Sequence, residues 1–231
     1  MNEFVGMTAG QPLPPDFYRL TALEAAPLLI GHTLVRRTES GDIRCRIVET
    51  ESYGGVEDKG SHAFGGRRTA RTEIMFAAGG VAYIYLIYGM YNCLNVVMGA
   101  ADDPQAVLIR AVEPLTPADE ARMREHRGTT ARRPVDLSGG PGKLCRALGI
   151  DKSLNGQPLT VPGAPLWLEA GAGTEAGAMT GAMGAIMQAP RVNIAYAAEY
   201  AAKPWRFYLR DSRYVSIVDK QAEVWNGLDG E

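Results

Sequence analysis

The stretch Arg46-Ile47-Val48-Glu49-Thr50-Glu51-Ser52-Tyr53 places two carboxylates and a phenol at alternate positions. Along a β-strand successive side chains point to opposite faces, so Ile47, Glu49, Glu51 and Tyr53 are expected on one face, with alternate residues about 6.6–7 Å apart. Inverting glycosidases hold their two carboxyls roughly 6.5–9.5 Å apart, so this spacing suits acid and base work at a glycosidic carbon. The plainer alternative is an exposed face on which the glutamates pair with Arg44 or Arg46. Spacing alone does not decide between them.

Two further groups of residues bear on chemistry. Tyr83, Tyr85, Tyr88 and Tyr91 lead to Asn95. Tyr83 and Tyr85 share a strand face, whereas Tyr88 falls beside Gly89 at a projecting tip where nothing of its own domain lies beyond to bury it. Basic residues cluster at Arg67, Arg68 and Arg71 after a glycine-rich stretch, and again at Arg122, Arg124, Arg127, Arg132 and Arg133 with only Glu125 opposing. Local clusters of this kind grip a nucleic-acid backbone whatever the global charge. For the later cluster an ordinary solvated face is the stronger reading. Gly139-Gly140-Pro141-Gly142 delivers a helix N-terminus at Lys143, suited to one phosphate. Leu144 stands where a nucleotide-binding P-loop needs Ser or Thr.

The elements that must position these groups follow from local pattern. Thr21 and Glu24 have capping-box spacing and open a helix through Leu29. Residues 32–38 and 43–53 read as a hairpin, 54–66 as irregular chain, and 81–87 and 93–98 as two strands around the tyrosine tip. A strand at 106–112, a helix at 117–127, a helix from 143 to 148, and short strands at 165–169, 207–209 and 214–218 complete the reading. Residues 1–15, with three prolines, read as a flexible N-terminal arm preceding one domain over 16–231. Residues 170–189, nearly all Gly, Ala, Met and Thr, read as a mobile insertion or weak helix, and Met179, Met183 and Met187 as a stripe covering core.

Composition sets the outer limits. The 231 residues carry 24 Lys plus Arg against 26 Asp plus Glu, a net charge of −2, which removes a globally basic surface as an argument for nucleic acid. The length predicts one domain or a tightly joined pair. Cys45, Cys93 and Cys145 form neither a disulfide framework nor a C-x-x-C metal site, which fits a reducing compartment. His32, His62 and His126 lack partners at ligand spacing, so no metal and no cofactor is expected. No charge falls between Glu73 and Asp102, but the glycines, amides and four tyrosines there exclude a lipid-facing helix. Residues Met1 to Gly6 show no basic region followed by an apolar core, so no secretory signal is expected.

Taken together these segments resemble the alkyladenine (3-methyladenine) DNA glycosylase family. The similarity runs from Leu28 to Asp219 and is most specific in RIVETESYGG at 46–55, EDKGSHAFGGRRTARTEIMF at 57–76, YIYLIYGMYNCLNVV at 83–97, VLIRAVEP at 107–114 and LSGGPGKLCRALGID at 137–151. The fold the resemblance implies is a single mixed α+β domain with a curved antiparallel β-sheet, surrounding helices, and a β-hairpin that enters the DNA minor groove. It implies that Glu51 is the base that activates water and that Arg110 helps to position that water. A flipped base would stack between Tyr53 and His62 on one side and Tyr85 on the other. Asn95 would oppose the exocyclic amine of unmodified guanine, and Tyr88 would fill the vacated place in the duplex. Arg67, Thr69, Arg71 and Lys143 would meet DNA phosphates. Departures from the family pattern are Ser52, expected to add a hydrogen bond near the base, and Asn193 and Ala195, which stand where glycines are usual.

Independent chemistry agrees with this assignment. A base within the stack cannot be attacked, so such an enzyme needs a wedge, a pocket with π-faces and a water-activating group. The expected activity is a monofunctional, base-excision DNA repair hydrolase that releases alkylated or deaminated purines from double-stranded DNA as a monomer, away from membranes. The expected location is a bacterial cytoplasm, or the nucleus in a eukaryote. The alternatives are a non-catalytic DNA damage binder of the same fold and, more remotely, a carbohydrate glycosidase using Glu49 and Glu51.

Overall fold

The computed structural model describes residues 7–172 and 184–227. The Thr21 hydroxyl accepts the Glu24 N–H and the Glu24 carboxylate accepts the Thr21 N–H, closing the capping box that starts α1 (Ala22–Leu28). The chain then folds back as β1 (Thr33–Thr38) and β2 (Gly41–Tyr53), an antiparallel hairpin. After an irregular stretch come β3 (Ala82–Ile87), β4 (Tyr91–Met98) and β5 (Gln105–Pro114). Three helices follow: α2 (Pro117–Arg127), capped by Thr116, then α3 (Pro134–Ser138) and α4 (Pro141–Ala147). The short strands β6 (Leu166–Glu169), β7 (Ile186–Ala189), β8 (Arg206–Leu209) and β9 (Glu223–Val224) complete the chain.

Among the described residues every pairing is antiparallel, and the nine strands form one sheet in the order β3-β4-β5-β2-β8-β7-β9, with β1 joining β2 to β6. This is a single α+β domain. The charge-free segment between Glu73 and Asp102 is largely the β3–β4 hairpin, and no helix among the described residues is long and apolar enough to cross a membrane.

Strand alternation divides the sheet into two working faces. Ala82, Ile84, Leu94, Val96, Val107 and Ile109 point into the main core, where they meet Ala25 and Ala26 of α1, Met123 of α2 and Leu144 of α4. On the other face Tyr83, Val97 and Ala106 pack beneath Ala63, Met75 and Phe76 in a smaller core. Opposed residues on neighbouring antiparallel strands share a face. Register therefore draws Tyr83, Asn95, Leu108, Glu51 and Arg206 into one row across five strands.

The structure corrects four expectations. Register shifts on either side of Glu49 break the β2–β5 ladder, as a β-bulge does, and exchange the parity of β2. Ile43, Cys45 and Ile47 face the core before the shift and Val48 after it, so Ile47 does not share the glutamate face. Residues 7–15 of the supposed arm are docked: Pro12 bridges to Glu169, Gly10 donates to the Ala170 carbonyl, and Leu13 is buried. Residues 186–189 of the supposed insertion are strand β7, placing Met187 in a small core with Tyr208, while Met179 and Met183 lie outside the described residues. Residues 214–218 form no strand, because their backbone serves buried charge: the Ser216 N–H bonds Glu49 and the Ile217 carbonyl accepts from Arg206.

Candidate active site

Glu49 and Glu51 are both fully buried, so the exposed-face reading fails. Arg44 pairs instead with Glu169 and Arg46 with Glu113. Glu49 is held by three donors: Oε1 accepts from Arg110 Nε at 3.2 Å and Arg206 Nη1 at 3.1 Å, and Oε2 from the Ser216 N–H at 2.7 Å. Its donors are two arginines, one from β5 and one from β8, and the backbone at residue 216, so Glu49 braces these segments away from the aromatic residues, which counts against the two-carboxylate glycosidase. Glu51 differs. Its Oε1 accepts the Val192 N–H at 2.7 Å and lies 3.3 Å from Arg110 Nη1, while its Oε2 accepts the Tyr53 hydroxyl at 2.9 Å. A carboxylate offers about four lone-pair sites, so one remains for a further donor such as water.

The neighbouring groups are held in the protonation states this arrangement needs. Burial, reinforced by the Glu51 charge, raises the Tyr53 phenol well above its ordinary pKa, so it stays protonated and donates. Burial opposes the Arg110 charge, but Glu51 and Glu49 outweigh it and hold the guanidinium above its ordinary range. Burial, with Arg71 and Arg67 nearby, lowers His62 to about 4, so its ring is neutral at neutral pH. Arg71 Nη2 approaches His62 Nε2 at 3.4 Å and can only donate, which leaves the imidazole proton on Nδ1, 2.9 Å from the Tyr83 hydroxyl.

A cleft of about 420 Å³ opens over this floor, lined by Tyr53, His62, Tyr85, Tyr88, Arg110 and Lys143 among others. Asn95 is buried beside it, its amide donating to the Tyr83 carbonyl at 3.0 Å. Tyr88 stands at the β3–β4 tip, 79% exposed and with φ of 53°. Left-handed backbone is strained for a bulky residue, and such strain persists where function requires it. Gly89, at φ of 70°, completes the turn.

Arg67, Thr69 and Arg71 are exposed and line a second hollow that shares His62 and Tyr196 with the cleft, and Lys143 flanks the cleft from α4. Arg68 is spent on Glu73 and Asp102, each at 2.7 Å. Arg124 is likewise tied to Glu120 and Arg133 to Asp136. The later cluster is therefore helix surface and capping.

The structure departs from the expected site in two respects. His62 and Tyr85 touch edge to face with centroids 4.6 Å apart, and Arg71 lies 4.9 Å over the Tyr85 ring. A planar base needs a full stacking distance on each side, so no slot is open between these two rings. The Ser52 hydroxyl is buried with no partner, so the hydrogen bond expected of it is not made. Asn193 adopts φ of 60°, a conformation that asparagine tolerates better than most residues, which accounts for it in a glycine position. Sequence reasoning missed Val192, Arg206, Ser216 and Tyr196. Val192 lies beside Asn193 in the segment APRVNIAY at 189–196 and acts through its backbone N–H, which no side-chain type signals.

Fold and cleft define a class: a single α+β domain with an aromatic-lined cleft beside a buried, hydrogen-bonded carboxylate. The chain belongs to the methylpurine-DNA glycosylase family, whose model matches residues 16–213. It is 45% identical over 202 residues to a protein of Natranaerobius thermophilus named "Putative 3-methyladenine DNA glycosylase", covering 87% of this chain and 97% of that one. Proteins of the same name from Clostridium botulinum and Desulfitobacterium hafniense are 44% and 42% identical, each over 87% of this chain and over 96% and 97% of their own lengths.

Proposed function

We propose that this protein is a monofunctional DNA glycosylase that turns a damaged purine out of duplex DNA and hydrolyses its N-glycosidic bond. The observation that carries the reading is Glu51, fully buried, fixed by three protein donors, and seated beneath a tyrosine-lined cleft. Glu51 accepts a proton from water while the water oxygen bonds to the anomeric carbon. The glycosidic electron pair leaves with the base. An N3- or N7-alkylated purine is cationic and departs neutral without further protonation, so one base suffices and Glu49 is left to hold Arg110. Neutral lesions such as hypoxanthine or ethenoadenine need an added proton on departure and are the slower substrates. Electron-rich rings also favour the cationic ones.

The remaining geometry supports DNA as the partner. Tyr88 projects where a wedge is needed to fill the place of an extruded base. Arg67, Thr69 and Arg71 on one side and Lys143 on the other frame the cleft with phosphate-binding groups. His62 and Tyr85 separate as the base enters.

The test is a duplex carrying one ethenoadenine or hypoxanthine, incubated with the protein and then treated with hot alkali. Breaks at the lesion only after alkali are expected. Tight binding without breaks would identify a damage binder instead, and breaks before alkali would show a lyase. Tyr88→Ala is expected to weaken binding to the lesion duplex by about 5- to 100-fold, the equivalent of about 1–3 kcal/mol for one lost stacking ring. Unchanged affinity in a fluorescence-anisotropy titration would exclude Tyr88 as the wedge.

A further inference from the structure

Arg191 has no part in the reaction described, yet its side chain is completely buried and paired with the equally buried Asp58. Nη1 donates to Asp58 Oδ2 at 2.6 Å and to the Ser52 carbonyl at 2.9 Å, and Nη2 donates to Asp58 Oδ1 at 2.8 Å. The guanidinium carbon lies 4.7 Å over the Tyr53 ring and 5.0 Å over the Trp205 ring. Asp58 also accepts the N–H groups of Gly54 at 3.1 Å and Gly60 at 2.9 Å. Gly60 has no room for a side chain, since a Cβ there would stand 2.9 Å from Arg191 Nη2.

Stability is a poor reason for this arrangement. Desolvating two charges offsets most of their attraction, and apolar residues of similar volume often do as well or better. Arg191 Nε is moreover buried with no partner, a further cost of about 1–3 kcal/mol. What the pair does achieve is position. Ser52, whose carbonyl Arg191 holds, directly follows Glu51 in the chain. Val192, which directly follows Arg191, donates its N–H to Glu51 Oε1 at 2.7 Å. One guanidinium thus joins the strand that carries the carboxylate to the segment that supplies its backbone donor. The same guanidinium backs the Tyr53 ring, which lines the cleft while Arg191 does not.

We infer that Arg191, clamped by Asp58, is a positioning residue: it holds the Val192 N–H against Glu51 and the Tyr53 ring against the base. This rests on the reading of Glu51 as the base. With the clamp removed, the backbone between Pro190 and the left-handed Asn193 is free to shift, and Glu51 loses a fixed orientation toward water. A misplacement of about 1 Å from a change outside the reacting groups can lower a rate about 100-fold.

The experiment uses the full chain with enzyme in excess over an ethenoadenine duplex, so that the single-turnover rate constant does not depend on the fraction of active protein. Arg191→Ala is expected to lower that constant about 100-fold. Arg191→Lys should recover only part of the loss, and millimolar guanidinium, but not methylammonium, should restore the alanine variant. Should Arg191→Ala fail to fold, Asp58→Asn keeps the shape, weakens the clamp, and should lower the rate by at least about tenfold. A wild-type rate constant in the folded fraction of whichever variant folds would overturn the inference, because a purely structural role reduces the amount of active enzyme and not its rate. Glu51→Gln run in parallel separates the two ideas. If Glu51→Gln retains turnover, the reading of the base fails; if it is inactive while Arg191→Ala and Asp58→Asn cleave normally, only the positioning role fails.

Discussion

Glu51→Gln is expected to lower base release by about 10²–10⁴-fold, the usual contribution of a general base, while the protein still binds a lesion duplex. The amide oxygen can still accept from Val192 and Arg110, so the local fold has little reason to change. What is lost is the capacity to take a proton from water, and Glu49 is poorly placed to replace it: all three partners of Glu51 line the cleft, whereas Arg206 and Ser216, two of the three partners of Glu49, do not. Single-turnover cleavage and anisotropy binding on the same ethenoadenine duplex check both halves. Turnover at the wild-type rate would remove Glu51 from the role, and loss of binding together with cleavage would show that the residue acts on DNA capture instead.

Arg110→Met is expected to destabilise the protein by about 3–5 kcal/mol, the range for removing one partner of a buried ion pair. Arg110 lies within reach of both glutamates, 3.2 Å from Glu49 Oε1 and 3.3 Å from Glu51 Oε1, and methionine leaves two buried carboxylates short of a donor. Urea unfolding monitored by tryptophan fluorescence measures the effect. Adding Glu49→Gln to Arg110→Met should recover part of the stability, because one uncompensated charge disappears, but none of the turnover, because Glu51 still lacks its guanidinium. Independent effects that simply add would show that the two residues are not coupled. A variant as stable as the wild type would mean that Arg206 alone balances both carboxylates.

Much of the local structure was legible in the sequence. The Thr21–Glu24 cap, the hairpin of β1 and β2, and the β3–β4 pair with Tyr88 at its tip all rest on contacts within one segment or between segments adjacent in the chain, which propensity and spacing record directly. Less was legible wherever a residue answered to distant chain. The 214–218 stretch has strand-like residues, but its backbone bonds Glu49 and Arg206 instead of a neighbouring strand. Ser52 is of a type that could add a hydrogen bond near the base, yet its hydroxyl is buried with no partner, which only the surrounding elements decide.

For the site, residue types and order singled out the Glu49 and Glu51 pair, the tyrosines of the β3–β4 hairpin and the arginines after the glycine-rich stretch, but left their roles open; those were expectations of the family resemblance. Three decisions belonged to the tertiary structure. The register shifts around Glu49 re-aimed β2 so that Ile47 faces the core and Glu51 meets Tyr53, Arg110 and Val192 of the cleft lining. Sheet register drew Tyr83, Asn95, Leu108, Glu51 and Arg206 into one row from five separate strands. Three buried arginines, Arg110, Arg191 and Arg206, were matched to Glu51, Asp58 and Glu49. The physical reason is common to all three: a buried charge must find its counter-charge and its donors in space, and nothing in the spacing of a chain records which distant residue will stand beside it once the sheet has closed.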